Sequence, residues 1–282
     1  MHDNQSILIT GCSSGIGLHV AQGLHREGYR VVASARRRED VQMLADLGLH
    51  AVQLDLDDPH SIAAGLQAAL RITDGRLYAL FNNGAYGQPG AVEDLSWQTL
   101  EAQLRTNLLG WHELTRQVIP LMRAAGEGRI IQNSSVLGFA AMPFRGAYNC
   151  SKFALEGLSD TLRLELRGSG IHVSLVEPGP ISSRFRDNAY QKFKQNIDAQ
   201  NSVFRKSYAA MEKRLRKQGD ATPFTLPPEA VLKRVLHALR SPRPKPRYPV
   251  TTPTYAFALL KRLLSTRQMD WILRKASGGG AR

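Results

Sequence analysis

Seven short apolar or β-branched runs, separated by helix-length amphipathic stretches, constrain this chain more than any other feature. The runs are Ile7–Thr10, Val31–Ala35, Ala51–Leu54, Leu77–Phe81, Arg129–Ser134, His172–Glu177 and Tyr248–Thr251. Between them, apolar residues recur at helical spacing over 15–27, 39–47, 60–73, 96–125, 147–168 and 228–240. Strands joined through helices pair in parallel, because only a long crossover returns the chain to the same end of the sheet. Right-handed crossovers then set helices on both faces. The expected fold is α/β, a doubly wound parallel sheet of about seven strands. At 282 residues with 43% hydrophobic content, one domain over 1–282 with one sizeable core is expected.

The rhythm breaks after Pro178. Residues 184–226 are polar, basic and helix-prone, with Phe185, Tyr190, Phe193, Phe204, Tyr208 and Phe224 interspersed. A proline-rich connector (241–249) leads to an amphipathic basic extension over about 254–275, and a tail, SGGGAR, is expected to fray. From Arg184 onward there are 22 Lys+Arg against 6 Asp+Glu, a net of +16 in a chain of net +13, so residues 1–183 carry −3. That basic third calls for an anionic neighbour or serves solubility. Its residues are scattered through helices without a nucleic-acid reading module, so no nucleic-acid partner is expected. Cys12 and Cys150 lie far apart, and the eight histidines show no ligand spacing; neither a disulfide nor a metal site is expected. The N-terminus lacks signal-peptide features and no apolar run reaches the length of a membrane span, which reads as cytoplasmic.

The first strand enters Thr10-Gly11-Cys12-Ser13-Ser14-Gly15-Ile16-Gly17, and a helix follows. Glycines let the backbone turn tightly and approach a pyrophosphate, while free amides at a helix start favour an anion. This is the Rossmann-type arrangement, with Gly11, Ser13, Ser14, Gly15, Ile16 and Gly17 as candidate contacts. The second strand ends Ala35-Arg36-Arg37-Arg38, where NAD-binding folds place an acid against the ribose 2′-hydroxyl. Guanidinium groups at Arg36 and Arg37 suit a 2′-phosphate instead, which favours NADP(H).

Tyr148 and Lys152, four apart at the start of a helical pattern, share one helix face. A tyrosine titrates near 10, and a neighbouring ammonium together with a cationic nicotinamide would lower that value. Ser135 ends the fifth strand, 13 residues before Tyr148, and a hydroxyl there faces the crevice where ligands bind. Strand alternation sends Ser134 to the opposite face.

Taken in order, Thr10-Gly11-x-x-x-Gly15-Ile16-Gly17, Asn82-Asn83, Asn107, Ser135, Tyr148-x-x-x-Lys152 and Pro178-Gly179 resemble a classical short-chain dehydrogenase/reductase over about residues 5–240. The flavour is similar to bacterial NADP-dependent aldehyde reductases and to the 17β-hydroxysteroid/retinol dehydrogenase branch. The resemblance implies further roles. Asp55 would bind the adenine amino edge, and Asn82 would border the adenosine ribose and brace the central strands. Asn107 would kink its helix so that a carbonyl holds a water linked to Lys152, and Lys152 would also hold the nicotinamide ribose. Pro178, Gly179, Pro180 and Ile181 would line the nicotinamide, with Ser183 where a threonine often contacts it. The family's Asn-Asn-Ala-Gly stands here as Asn82-Asn83-Gly84-Ala85, so Gly84 joins the cofactor set and strain is expected if Ala85 must adopt a glycine conformation.

The expected reaction is reduction of an apolar aldehyde or ketone, with Ser135 polarising the oxygen, Tyr148 donating the proton and Lys152 supporting both tyrosine and ribose. Alternatives are oxidation of a retinol- or hydroxysteroid-like alcohol, or an NADP(H)-binding sensor without turnover, whose mark would be degraded catalytic residues. Residues 184–226 occupy the place of the family's substrate lid. Two readings of the C-terminal extension stand: packing against the domain or a second subunit, which is favoured, and peripheral contact with an anionic membrane. A homo-oligomer through the long helices is expected.

Overall fold

The computed structural model describes residues 5–217, 219 and 224–277. The chain begins with β1 (Ser6–Ile9), α1 (Gly15–Arg26), β2 (Arg30–Ala35), α2 (Arg38–Asp46), β3 (His50–Gln53), α3 (Pro59–Ile72) and β4 (Ala79–Asn82). It continues through α4 (Trp97–Leu104), α5 (Gly110–Ala125), β5 (Gly128–Asn133), α6 (Gly146–Glu165) and β6 (Ile171–Glu177). The last part holds α7 (Phe185–Asn196), α8 (Arg205–Leu215), α9 (Glu229–Arg240), β7 (Arg247–Pro249), α10 (Thr252–Leu263) and α11 (Thr266–Ala276). All seven strands pair in parallel, in the order β3-β2-β1-β4-β5-β6-β7.

β1 reads as a continuous apolar run because both of its faces are covered. Ile7 and Ile9 enter one core with Val20 and Leu24 of α1 and Val231 and Val235 of α9. Leu8 enters the opposite core with Ile62 and Leu66 of α3 and Leu114 and Val118 of α5. Period-two alternation thus fills two layers from three successive residues. The order reverses on either side of β1, which pairs with β2 and β4, so the carboxyl ends of β1 and β4 open the crevice of a Rossmann-type sheet.

Two expectations shift. The helical pattern read as continuous over 96–125 is interrupted by a π turn at Arg105–Leu109, which divides α4 from α5 and contains Asn107, where the resemblance implied a kink. The last strand is Arg247–Pro249 rather than Tyr248–Thr251, and this short edge strand ends on a proline that has no N–H to donate. Of the tail SGGGAR expected to fray, Ser277 caps α11 with its N–H on the Leu273 carbonyl, and residues 278–282 lie outside the described residues. The segment after β6 folds as α7 and α8, which share a small core of Phe193, Tyr208, Met211 and Leu215 with Ala91 and Ile197. In the extension, Phe257, Met269 and Leu273 pack on Val136 and Ala140, just beyond Ser135.

Candidate active site

The glycine turn after β1 is locked from the neighbouring strand. Buried Thr10 accepts at Oγ1 from the backbone N–H groups of Asn83 (2.9 Å) and Gly84 (3.0 Å). The Asn83 amide donates back to the carbonyls of Thr10 (3.0 Å) and Gly11 (3.2 Å), and Asn133 donates to Asn83 Oδ1 at 2.9 Å. Gly11 has φ +70°, and a Cβ there would lie 2.4 Å from Gly84 Cα. A Cβ on Gly17 would fall 2.3 Å from the Gly11 carbonyl oxygen, so backbone meets backbone on both sides of the turn. α1 opens at Gly15 behind an extended Ser14 with no side-chain cap, leaving first-turn amides available to an anion. Across the crevice stands Ser183, whose Cβ lies 3.0 Å from where a Cβ on Gly15 would be.

Ala85 does not carry the expected strain. The only non-glycine residues with positive φ among the described residues are Asp74 and Phe144, and the Ala85 methyl packs against the core that contains Leu8 and Trp111. The close approach falls on Gly84 instead, where a Cβ would meet Leu56 Cδ1 at 2.9 Å and Gly11 N at 3.2 Å. The Gly84-Ala85 order therefore places the glycine where space is shortest.

Arg36 and Arg37 stand exposed at the end of β2, and neither guanidinium pairs with a carboxylate among the described residues. Asp55 is half-buried beyond β3 and accepts from the Asp57 N–H at 3.0 Å. Asn82 is fully buried, and its amide donates to Thr115 (2.9 Å) and Gln132 (3.0 Å). That is the bracing geometry. With its side chain committed to the core, any contact of Asn82 with a ribose would come from its backbone.

Ser135, Tyr148 and Lys152 come together at the carboxyl end of β5. Ser135 caps a 3₁₀ turn at Val136–Gly138, where its Oγ accepts from Leu137 N (3.1 Å) and donates to the Pro178 carbonyl (3.4 Å), and it lies near enough to the Tyr148 phenol to pull that group's pKa down. Ser134 turns the other way, toward Glu156. Lys152 is 1% exposed; its Nζ donates to the Asn133 carbonyl (2.8 Å) and lies 4.0 Å from the Trp111 ring centroid and 5.8 Å from that of Tyr148. Asn107 sits in the π turn, fully buried, accepting from Tyr86 N (3.1 Å) and donating to Tyr86 O (2.8 Å) and Ser151 Oγ (3.3 Å). Beyond β6, the Pro178 carbonyl accepts from Val136 N at 2.8 Å, Gly179 leaves no room for a Cβ beside Thr251, and Ile181 bridges to Leu226.

A family model described as short chain dehydrogenase matches residues 5–194. This chain belongs to the short-chain dehydrogenase family. It is 45% identical over 270 residues to the uncharacterized oxidoreductase YbbO of Escherichia coli K12, covering 96% of this chain and 94% of that one. It is 33% identical to human 17-beta-hydroxysteroid dehydrogenase type 1, covering 91% of this chain and 80% of the relative. A crystal structure of a short-chain dehydrogenase from Streptomyces avermitilis superposes with a TM-score of 0.73 at 26% identity, over 98% of this chain and 97% of that one.

In this short-chain dehydrogenase, burial pushes the Tyr148 phenol up to about 12, against the neighbouring Ser135 hydroxyl that pulls it down. The reading from sequence expected the opposite direction. In the protein alone burial wins, because the phenol is shut away from water. Burial also lowers Lys152 to about 7, opposed by Glu156 one turn away. A 70 Å³ cavity beside Tyr148 is lined by Leu137, Phe185, Ala189 and Leu215 among others, and the Phe185 ring stands edge-on to Tyr148 at 5.5 Å.

Several positioning residues escaped the sequence. Nothing in the helical pattern over 96–125 singles out Trp111, yet its indole donates to the Gly84 carbonyl at 2.7 Å while its face meets Lys152. Asn149, beside Tyr148, donates to the carbonyls of Leu137 (2.8 Å) and Ala140 (3.1 Å), tying the loop after Ser135 to α6. Arg247 pairs with Glu156 (3.1 Å), Asp160 (2.6 Å) and Glu177 (3.3 Å), joining β7 to α6 and β6. Phe144 holds φ +60° four residues before Tyr148, clasped by the rings of Phe204 (5.4 Å) and Tyr208 (5.7 Å). None of these contacts has a fixed spacing in the sequence; the aromatic clasp alone had a signal, the rings interleaved through 184–226.

Proposed function

We propose that this short-chain dehydrogenase reduces the carbonyl of an apolar aldehyde or ketone to an alcohol with NADP(H). The observation that carries the reading is the Tyr148 phenol, with Ser135 beside it, lining a cavity whose wall includes Leu137, Phe185, Ala189 and Leu215, with Lys152 buried behind it. The residues fit a nicotinamide dinucleotide: uncapped α1 amides, a turn that admits no Cβ at Gly11 or Gly17, and exposed guanidiniums at Arg36 and Arg37 that pair with no carboxylate among the described residues. Gly11, Ser13, Ser14, Gly15, Ile16 and Gly17 would hold its pyrophosphate, with Asp55, Asn82 and Gly84 along the adenosine half. Pro178, Gly179, Ile181 and Ser183 would line the nicotinamide, and Tyr148 and Lys152 its ribose. When bound, that group supplies the hydride.

The chain's own residues manage the proton. Ser135 donates to the carbonyl oxygen and fixes it beside Tyr148. A phenol held near 12 is protonated at neutral pH, so Tyr148 is the acid that delivers a proton as the oxygen gains charge. Lys152, kept near 7 by its surroundings, exchanges protons readily at cellular pH and supports refilling of Tyr148. The π turn at Asn107 breaks the regular helix ladder beside Ser151, which supports a carbonyl-held water path to Lys152. A 70 Å³ space admits only a few heavy atoms, so Phe185 must swing aside for a larger substrate. The 33% identity to a hydroxysteroid dehydrogenase favours a second reading, oxidation of a large apolar alcohol by the same residues run backwards. A sensor without turnover is disfavoured by the intact Asn107, Ser135, Tyr148 and Lys152. Exposed Leu109, Phe153, Leu158 and Leu164 on α6 and beside α5 suit a homo-oligomer, and cytoplasmic residence fits a reduced NADP pool.

The test is a screen of NADPH oxidation over aldehydes and ketones of graded chain length, with NADH in parallel, on wild type and Tyr148→Phe. Turnover with NADPH that falls at least about 100-fold in Tyr148→Phe is expected. Near-normal turnover of that variant would overturn the assignment.

A further inference from the structure

We infer that the outward face of α10 and α11 is a docking surface for an anionic lipid bilayer. The inner faces of the two helices are settled, with Phe257, Met269 and Leu273 anchored on Val136 and Ala140. On α10 the outer face carries an apolar stripe where a water-facing helix would be polar, and α11 adds one exposed indole among charges. Tyr255, Leu259 and Leu263, four apart in succession, form one stripe on α10 and are 48%, 59% and 70% exposed. Trp271 on α11 is 54% exposed, with Lys275 Nζ 3.9 Å from its ring centroid.

Charge selects the occupant. Lys261, Arg262, Arg267, Arg274 and Lys275 are all exposed on these helices, against the single acid Asp270. A second copy of the chain meeting this face in a two-fold contact would set those cations against themselves. Nucleic acid would match the charge but give nothing for four exposed apolar side chains. An anionic membrane surface rewards both, as headgroups meet the basic residues while Trp, Tyr and Leu enter the acyl boundary. No helix among the described residues is long and apolar enough to cross a membrane, so the contact lies in the interface plane. An open groove of about 550 Å³ separates Trp271, Arg267 and Arg274 from the loop Ala141–Pro143, which runs on through Phe144 toward Tyr148. Docking there would bring the catalytic cleft close to the bilayer, where an apolar carbonyl concentrates.

Vesicle binding is read without turnover, so this inference stands or falls apart from the reductase reading. The full chain would be sedimented at low salt with vesicles of equal phosphatidylglycerol and phosphatidylcholine, and with phosphatidylcholine alone. Binding to the anionic vesicles only is expected, dropping at least about tenfold in Leu259→Ser/Leu263→Ser and in Arg267→Gln/Arg274→Gln. In a Trp97→Phe background, Trp271 emission should shift to the blue on binding. Failure to bind anionic vesicles, equal binding to neutral ones, or binding indifferent to both double variants overturns the inference. So does a change of oligomeric mass in Leu259→Ser/Leu263→Ser with vesicle binding intact, which would give the face to a second copy. Should the serine variant lose stability, the glutamine variant, which touches only exposed charges, decides alone.

Discussion

Replacing Tyr208 by phenylalanine removes one oxygen atom and should undock α7 and α8, the segment proposed as a substrate lid. Tyr208 is 1% exposed and is the centre of the small core that joins α7 and α8 to the body. Its hydroxyl accepts from the Ala91 N–H at 2.9 Å and donates to the Asp94 carboxylate in a short contact. The variant strands the Ala91 N–H in a buried setting, at about 1–3 kcal/mol, and loses a charge-assisted bond of about 1.5–3 kcal/mol. Asp94 keeps Ser202 at 2.6 Å, which offsets part of the second loss. A net of roughly 2–4 kcal/mol falls on lid docking, and at about 1.4 kcal/mol per factor of ten the open population should rise about 30- to 700-fold. Limited trypsinolysis reads that population directly, because Arg205, Lys206, Lys213 and Arg214 on α8 are cut only when the helix opens. Tyr255→Phe, at an exposed hydroxyl, is the control. A cleavage rate within threefold of wild type would refute the claim that this hydroxyl pins the lid.

Other perturbations test other parts of the molecule. Arg36→Ala should raise KM for NADPH about tenfold while leaving KM for NADH near its starting value, as steady-state kinetics with both cofactors will show. Glu177 is 2% exposed, and burial raises its carboxyl to about 8 despite Arg247. Because the unfolded chain gives up that proton near 4.5 and the folded one near 8, stability should fall as pH rises between those values. Glu177→Gln should match wild type below pH 4.5, gain on it through that window by roughly 2–4 kcal/mol, and hold the gain above pH 8, as urea melts across pH report. Gly84→Ala should cost more stability than Ala85→Gly, roughly 2 kcal/mol or more against about 1, since the first presses a methyl into Gly11 and the second only loosens the chain. Equal thermal shifts for the two would contradict the strain-free setting of Ala85.

The sheet was legible because its physics is local. A strand buried on both faces has to read Ile7-Leu8-Ile9, and a crossover has to carry a helical period, so seven strands and their parallel sense follow from pattern. The glycine turn was equally plain, since only missing Cβ atoms permit Gly11 to lie against Gly84 and Gly17 against Gly11. The break at Arg105–Leu109 was not visible as periodicity, because a π turn adds one residue without disturbing composition. Lys152 shows the deeper limit. Its spacing from Tyr148 was readable, but its partners are a backbone carbonyl on β5 and an indole on α5, brought there by tertiary packing. The direction of the Tyr148 shift went astray for the same reason, because sequence spacing reports neighbours in charge and says nothing of how thoroughly water is excluded.

Phe144 ties two properties that an engineer would wish to vary separately. Its left-handed backbone is uphill for a bulky residue, and it is kept there by rings belonging to α8 and the segment before it. Carving those rings away to admit larger molecules would also let the entry to α6 relax, and with it the placement of Tyr148, the proposed proton donor. A graft that exchanges lids between relatives must therefore carry a matching residue at this bend, or selectivity will be won only with a slower enzyme.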